Sequence, residues 1–412
     1  MKNYSFNTRK WIVISLINFC LVALAGILLR YKINFSLPFI DQKFLLHAHS
    51  HFAFTGWITL ALMTLMVNYL QQKSIDTNFK KYHYLLIVNL ISAYGMLFAF
   101  MVQGYALYSI TFSILSIFVS YFFAFTFWRD INRVANEPFI KKWFKTSLVL
   151  LVVSSIGAFT LAGLMAMHIK VQDYYFAAVY FFLHFQYNGW FLFVCFGLLF
   201  SYLSRKGIVV SSVINKRIFW IMAITVAPTY LLSILWLKIP LILHVAADIS
   251  GILQLAVLIY FIRLLPLFKN NSSSYLLPST KYLWFLTYAA FILKVILQLL
   301  SIVPFLSTYA FAFRPIVIGY LHLSFLGIIS FFILGYISEI LSDFHSYLPK
   351  RGVLIFITGV IIQEIVLMCQ GLEVFGVHSL PHANMVLFYS AIVIGSGLVW
   401  VTANSFQRYN QR

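Results

Sequence analysis

Three histidines share one setting in this chain. His51, His184 and His322 each lie inside a long apolar run, with four residues between the histidine and a following glycine, Gly56, Gly189 or Gly327. They recur at intervals of 133 and 138 residues in a chain of 412, which is the mark of a threefold internal repeat. Neutral imidazole ligates metal ions and carries protons. An ionisable residue inside an apolar run points to function, because its placement there is costly.

Nine of the eleven histidines, these three included, fall toward the outer ends of the apolar runs on the topology argued below. His47 and His51 are four apart and share a helix face, as do His378 and His382, whereas His49 points nearly the other way. His168 and His244 stand at the ends of apolar runs, and His83 and His345 read as surface residues without a role. For one intramembrane histidine alone, a plain hydrogen-bonding contact between helices is at least as good an account as ligation. Nine histidines collected at one depth favour ligation.

The elements that must position them are helices. Hydrophobic residues make up 62% of the chain and charged ones 9%, which describes a polytopic all-α membrane protein, since backbone groups inside lipid must be satisfied within their own segment. Twelve spans are predicted at about 11 to 29, 44 to 70, 84 to 103, 107 to 128, 144 to 167, 174 to 203, 218 to 237, 240 to 267, 282 to 305, 310 to 341, 353 to 372 and 383 to 403. They form one transmembrane domain over residues 1 to 412, in three groups of four. The first span reads as a retained helix, because no small-residue cleavage site follows it. The basic stretch from Arg129 to Lys145 and the polar run Asn270 to Ser274 read as loops.

A net charge of +19 invites a nucleic-acid reading, but its distribution argues against one. With a cytoplasmic N-terminus, 22 of the 29 Lys and Arg fall on the inner side, six on the outer side, and Lys294 within the ninth span. That is the positive-inside pattern of a multi-pass protein of a bacterial-type inner membrane with both termini in the cytoplasm. Its partner is the lipid bilayer, and nucleic acid is excluded. On this topology the second, sixth and tenth spans run in the same direction, so the three motif histidines share a depth of roughly 10 to 15 Å from the outer end.

A glycine one turn beyond such a histidine lets a helix or a flat macrocycle approach the backbone closely. Trp57 and Trp190 follow two of these glycines and supply apolar walls. Cys20, Cys195 and Cys369 are isolated in apolar runs, which argues against a disulfide framework or a covalent haem-attachment motif.

The segments HAHSHFAFTGW (47 to 57), LHFQYNGWF (183 to 191) and YLHLSFLG (320 to 327) resemble the haem-ligand helices of haem-copper oxidase subunit I and its nitric oxide reductase relatives. A looser resemblance is to twelve-span haem and copper proteins associated with nitric oxide tolerance. The oxidase resemblance implies a non-covalent b-type haem on His51 and His322, with Arg314 and Arg30 as candidates to meet its propionates. It implies copper as a second cofactor, with His184 as ligand and His244, His378, His382 and His47 as further candidates. The partners so implied are an electron-donor protein or quinol and a gas, oxygen or nitric oxide, in a respiratory electron-transport setting.

The departures define a second expectation. Active oxidases carry His-x-His on span 10 and a His-His pair after span 7; here Tyr320 stands two before His322, and Trp236 to His244 holds one histidine. The pattern therefore fits a degenerate, single-haem relative with little or no oxidase turnover. Asp248, four residues after His244, is placed to orient that imidazole. Lys294 and Glu364 are placed for a proton route, or equally for a structural polar contact. The rival reading is a proton-coupled secondary transporter without haem, in which Asp248, Lys294 and Glu364 do the work.

Overall fold

The computed structural model describes residues 5–208, 210–271, 276–303, 305–306, 313–376 and 380–410, and all the regular elements among them are helical. Among the described residues, eleven helices are long and apolar enough to cross a membrane: α1 (Thr8–Asn34), α2 (Gln42–Gln72), α3 (Lys80–Gln103), α4 (Leu107–Ile131), α5 (Pro138–Ala166), α6 (Gln172–Arg205), α8 (Leu241–Leu264), α9 (Pro278–Leu300), α10 (Arg314–Asp343), α11 (Lys350–Phe375) and α12 (Ala383–Ser405). A further helix, α7 (Ser212–Thr225), is followed by the 3-10 segment Pro228–Ile234 at a bend of 47°, and the pair makes the twelfth span if it crosses as one. The chain is a multi-pass, all-helical membrane protein.

Two departures from the expected spans have local causes. The seventh is broken because Pro228 has no N–H, and its ring excludes a continuing α-helical turn. The basic stretch from Arg129 to Lys145 is mostly helix: α4 runs to Ile131 and α5 starts at Pro138, whose fixed φ suits a first turn. Long basic side chains can lie along a helix end and keep their heads in water, so charge alone did not mark the boundary.

The helices divide into two compact units. The first comprises Met1–Arg133, Leu277–Trp284 and Ser330–Arg412; the second comprises Val134–Leu276 and Phe285–Ile329. Within the first, α11 and α12 are in backbone contact, since a Cβ on Gly397 would stand 2.5 Å from the Phe356 nitrogen. At one end of the same unit, buried Asp130 accepts from Thr77 and Tyr82 at 2.9 and 2.8 Å and pairs with Lys81 at 2.6 Å. Within the second, α5 meets α6 at Gly157, where a Cβ would stand 2.5 Å from the Ala178 oxygen and 2.7 Å from the Phe182 nitrogen.

Two motif helices are the most enclosed. Over its most apolar stretch α2 is 89% buried and α6 is 94% buried, against 28 to 50% for the other membrane-length helices. They are also the least apolar of the set, with mean hydropathy 1.4 and 1.3 against 1.9 to 2.8, as expected where polar side chains face a bundle interior and not lipid. These two carry His51 and His184.

Candidate functional site

Each motif histidine stands at a change of helix type. His51 is followed within two residues by the π-helical segment Ala53–Thr59, His184 directly by Phe185–Phe191, and His322 directly by Leu323–Ser330. Each motif glycine lies inside its π segment. A π segment widens the helix and releases carbonyls from their ordinary partners, and such insertions concentrate at functional sites. The sequence repeat is thus also a repeat of backbone geometry.

In the first unit, the released carbonyls are met by asparagines from neighbouring helices. Asn18 of α1 donates to the Gly56 oxygen at 2.7 Å, and Asn89 of α3 donates to the Thr55 oxygen at 3.2 Å. Tyr94 in turn donates to Asn18 Oδ1 at 2.9 Å. Trp57 stacks on Phe19 with centroids 4.2 Å apart and donates to Ser330 Oγ at 3.0 Å. No side chain fits at position 56 unless Phe52 moves, because a Cβ there would stand 2.7 Å from its ring.

His51 projects from this frame onto Phe100, its ring stacked at 4.3 Å and 20°. Its Nε2 shares a hydrogen bond of 2.9 Å with the hydroxyl of Tyr105, which lies between α3 and α4. One turn earlier, His47 sets its ring edgewise to Tyr105 at 4.7 Å, and its Nε2 is buried with no hydrogen-bond partner among the described residues. His49 faces α1 instead, where its Nδ1 donates to the Val22 oxygen at 3.0 Å beside Gly26. His47 and His51 therefore share a face and His49 does not, as their spacing predicts.

In the second unit His184 is 2% exposed and engaged at both ring nitrogens. Nε2 donates to the Val226 oxygen at 2.7 Å, so Nδ1 carries the lone pair and accepts from Asn188 Nδ2 at 3.1 Å. Val226 lies at the break between α7 and Pro228, and its oxygen also accepts from Thr229. His184 thus braces a broken span. A metal on either nitrogen would have to displace one of these partners.

His322 is bound differently. Its Nδ1 donates to the Ile318 oxygen of its own helix at 3.0 Å, which puts the ring lone pair on Nε2. Tyr320, two residues before His322, lies with its ring 6.2 Å from that of Tyr187 at 74°. Ser324 donates to the Tyr320 oxygen.

A buried polar chain adjoins these elements in the same unit. Lys294 Nζ donates to Gln298 Oε1 at 2.7 Å, Gln298 Nε2 to Gln254 Oε1 at 3.3 Å, and Gln254 Nε2 to Thr225 Oγ1 at 3.4 Å. Lys294 also lines a small cavity with Tyr187 and Asn188 of the second π segment and Ser324, Ile328 and Ile329 of the third.

The remaining expected residues are dispersed. His244 and Asp248 are half-buried in the first turns of α8, His382 is exposed just before α12, and Arg314 is exposed at the start of α10. His378 lies outside the described residues. Glu364, in the first unit, has a buried Oε1 without a hydrogen-bond partner among the described residues. Among the described residues, no three His, Cys, Asp or Glu side chains converge as a metal site.

Compared with the profiles of known protein families and with curated proteins, the chain matches none. Its reading rests on its own geometry.

That geometry adds residues the sequence did not single out. Asn188 stands one turn after His184, and this i, i+4 spacing was a legible signal. Asn18, Asn89 and Tyr105 come from other elements, and nothing local ties them to the motif. The π segments themselves have no pattern in composition that would announce them.

Proposed function

We propose that the chain is a haem-binding redox or gas-handling protein of an inner membrane, a degenerate relative of haem-copper oxidase subunit I. The observation that carries this reading is the threefold recurrence of a histidine at the entrance to a π-helical segment in α2, α6 and α10.

A haem iron requires an imidazole nitrogen bearing a lone pair, held in a fixed orientation. His322 has its ring oriented by the Nδ1 bond to Ile318 and would offer Nε2 to the iron in exchange for its present contacts. His51 fits if the Tyr105 hydroxyl gives up its Nε2, and the stacked Phe100 already sets the ring plane. That one iron takes both is part of the proposal and rests on the sequence repeat. Copper at His184 is not part of it, because both nitrogens there are committed. A bound haem would supply one-electron transfer and, with an open axial position, gas binding. An electron donor, oxygen or nitric oxide as the gas, and cytoplasmic termini complete the proposal.

The test is the absorption spectrum of the full chain purified from haem-replete cells. A Soret band and a reduced α band in stoichiometric amount support the reading. Their absence overturns it and leaves the transporter alternative.

A further inference from the structure

Lys294 is 2% exposed in the second unit, and its hydrogen bond goes to an amide oxygen, not a carboxylate. The orientation of that amide is fixed by the chain beyond it. Gln298 gives its nitrogen to Gln254, Gln254 gives its nitrogen to Thr225, and the Thr225 hydroxyl donates to the Ile221 oxygen. Every member is therefore satisfied without a negative charge.

The cavity beside Lys294 has room for about one water-sized particle. Lys294, Asn188, Ser324 and Tyr187 are its polar lining, and no acidic residue lines it. An ammonium has three donors, of which Gln298 takes one. Asn188 gives its amide to His184 and to the Tyr187 hydroxyl, so the unused donors are those of the ammonium. His184, bonded to the lining residue Asn188, adds no positive charge, because its hydrogen bonds require the neutral form. A buried ammonium without a counter-charge is costly, and a small anion in reach of unused donors removes that cost.

We propose that this cavity binds one monovalent anion of halide size, held by the Lys294 ammonium. The site is distinct from the haem ligands and does not depend on haem. Its position between the second and third π segments gives those segments a ligand within one unit. Tetrahedral oxyanions are too large for it.

The test uses the full chain in detergent at constant ionic strength, with chloride, bromide, sulfate or gluconate as the sodium salt. Chloride and bromide raise the unfolding temperature of the wild type saturably, by several degrees; sulfate and gluconate do not, and Lys294→Met loses the halide response. Crystals soaked in bromide show an anomalous peak beside Lys294 Nζ, a readout that needs no variant. A wild type indifferent to halide, an equal response in Lys294→Met, or an absent peak overturns the proposal, and the amine is then neutral beside water.

Discussion

His184 Nε2 donates to the carbonyl of Val226 at 2.7 Å, joining the entrance of one π segment to the break of another span. The bond gives the oxygen at the end of α7, which also accepts from Thr229, a second side-chain donor. Function at this histidine is therefore first architectural.

His184→Ala leaves Thr229 as the remaining side-chain donor to the Val226 oxygen, frees Asn188 and opens a cavity, for a loss of about 2 to 4 kcal/mol. Thermal unfolding in detergent reads it. Metal content of the purified protein stays unchanged, and a loss of bound copper in this variant would restore the ligand assignment.

His51→Ala and His322→Ala each abolish the reduced α band while the protein remains in the membrane fraction. His83→Ala, at a surface position, leaves the spectrum intact. A haem spectrum unaltered in both motif variants removes these residues as ligands.

Tyr105→Phe releases His51 Nε2 from its 2.9 Å hydrogen bond and raises haem occupancy in cells grown with limiting haem. An alkaline signature accompanies it. Partial burial pushes the Tyr105 phenol up to about 12. Free tyrosine titrates near 10, so the folded chain holds this proton longer; the group's stabilisation is full below about pH 10 and is lost as pH rises toward 12. Stability measured across that interval should fall less in Tyr105→Phe than in wild type.

Two glycines of α5 give opposite outcomes. Gly157→Ala forces a methyl against the backbone of Ala178 and Phe182, where no rotamer change relieves it, and costs about 1 to 3 kcal/mol. Gly163→Ala meets nothing within 4 Å and gains helix propensity of up to about 1 kcal/mol. Unfolding temperatures of the two variants should fall on either side of wild type.

Oxygen consumption with a reduced donor should stay far below enzyme-like rates, on the order of 10 per second. On the proposed kinship Tyr320 takes the place of a second haem ligand, and its ring lies 6.2 Å from that of Tyr187. An oxygen electrode with purified protein measures this, and turnover at that rate would refute the single-haem reading.

The sequence by itself determined the class, the helices and the triad of motif histidines, because these depend on composition and on local periodicity. Lipid leaves a spanning chain few options, so apolar runs translate directly into helices. Spacing also gave the shared face of His47 and His51. Tertiary structure decided what the histidines do. Whether a ring nitrogen is committed or available depends on groups distant in sequence: Val226 for His184, Tyr105 for His51, Val22 for His49. The π segments and the uncharged surroundings of Lys294 were likewise invisible, since a widened helix turn is stabilised by asparagines and packing from other helices, and a counter-charge is a matter of distance, not of order along the chain.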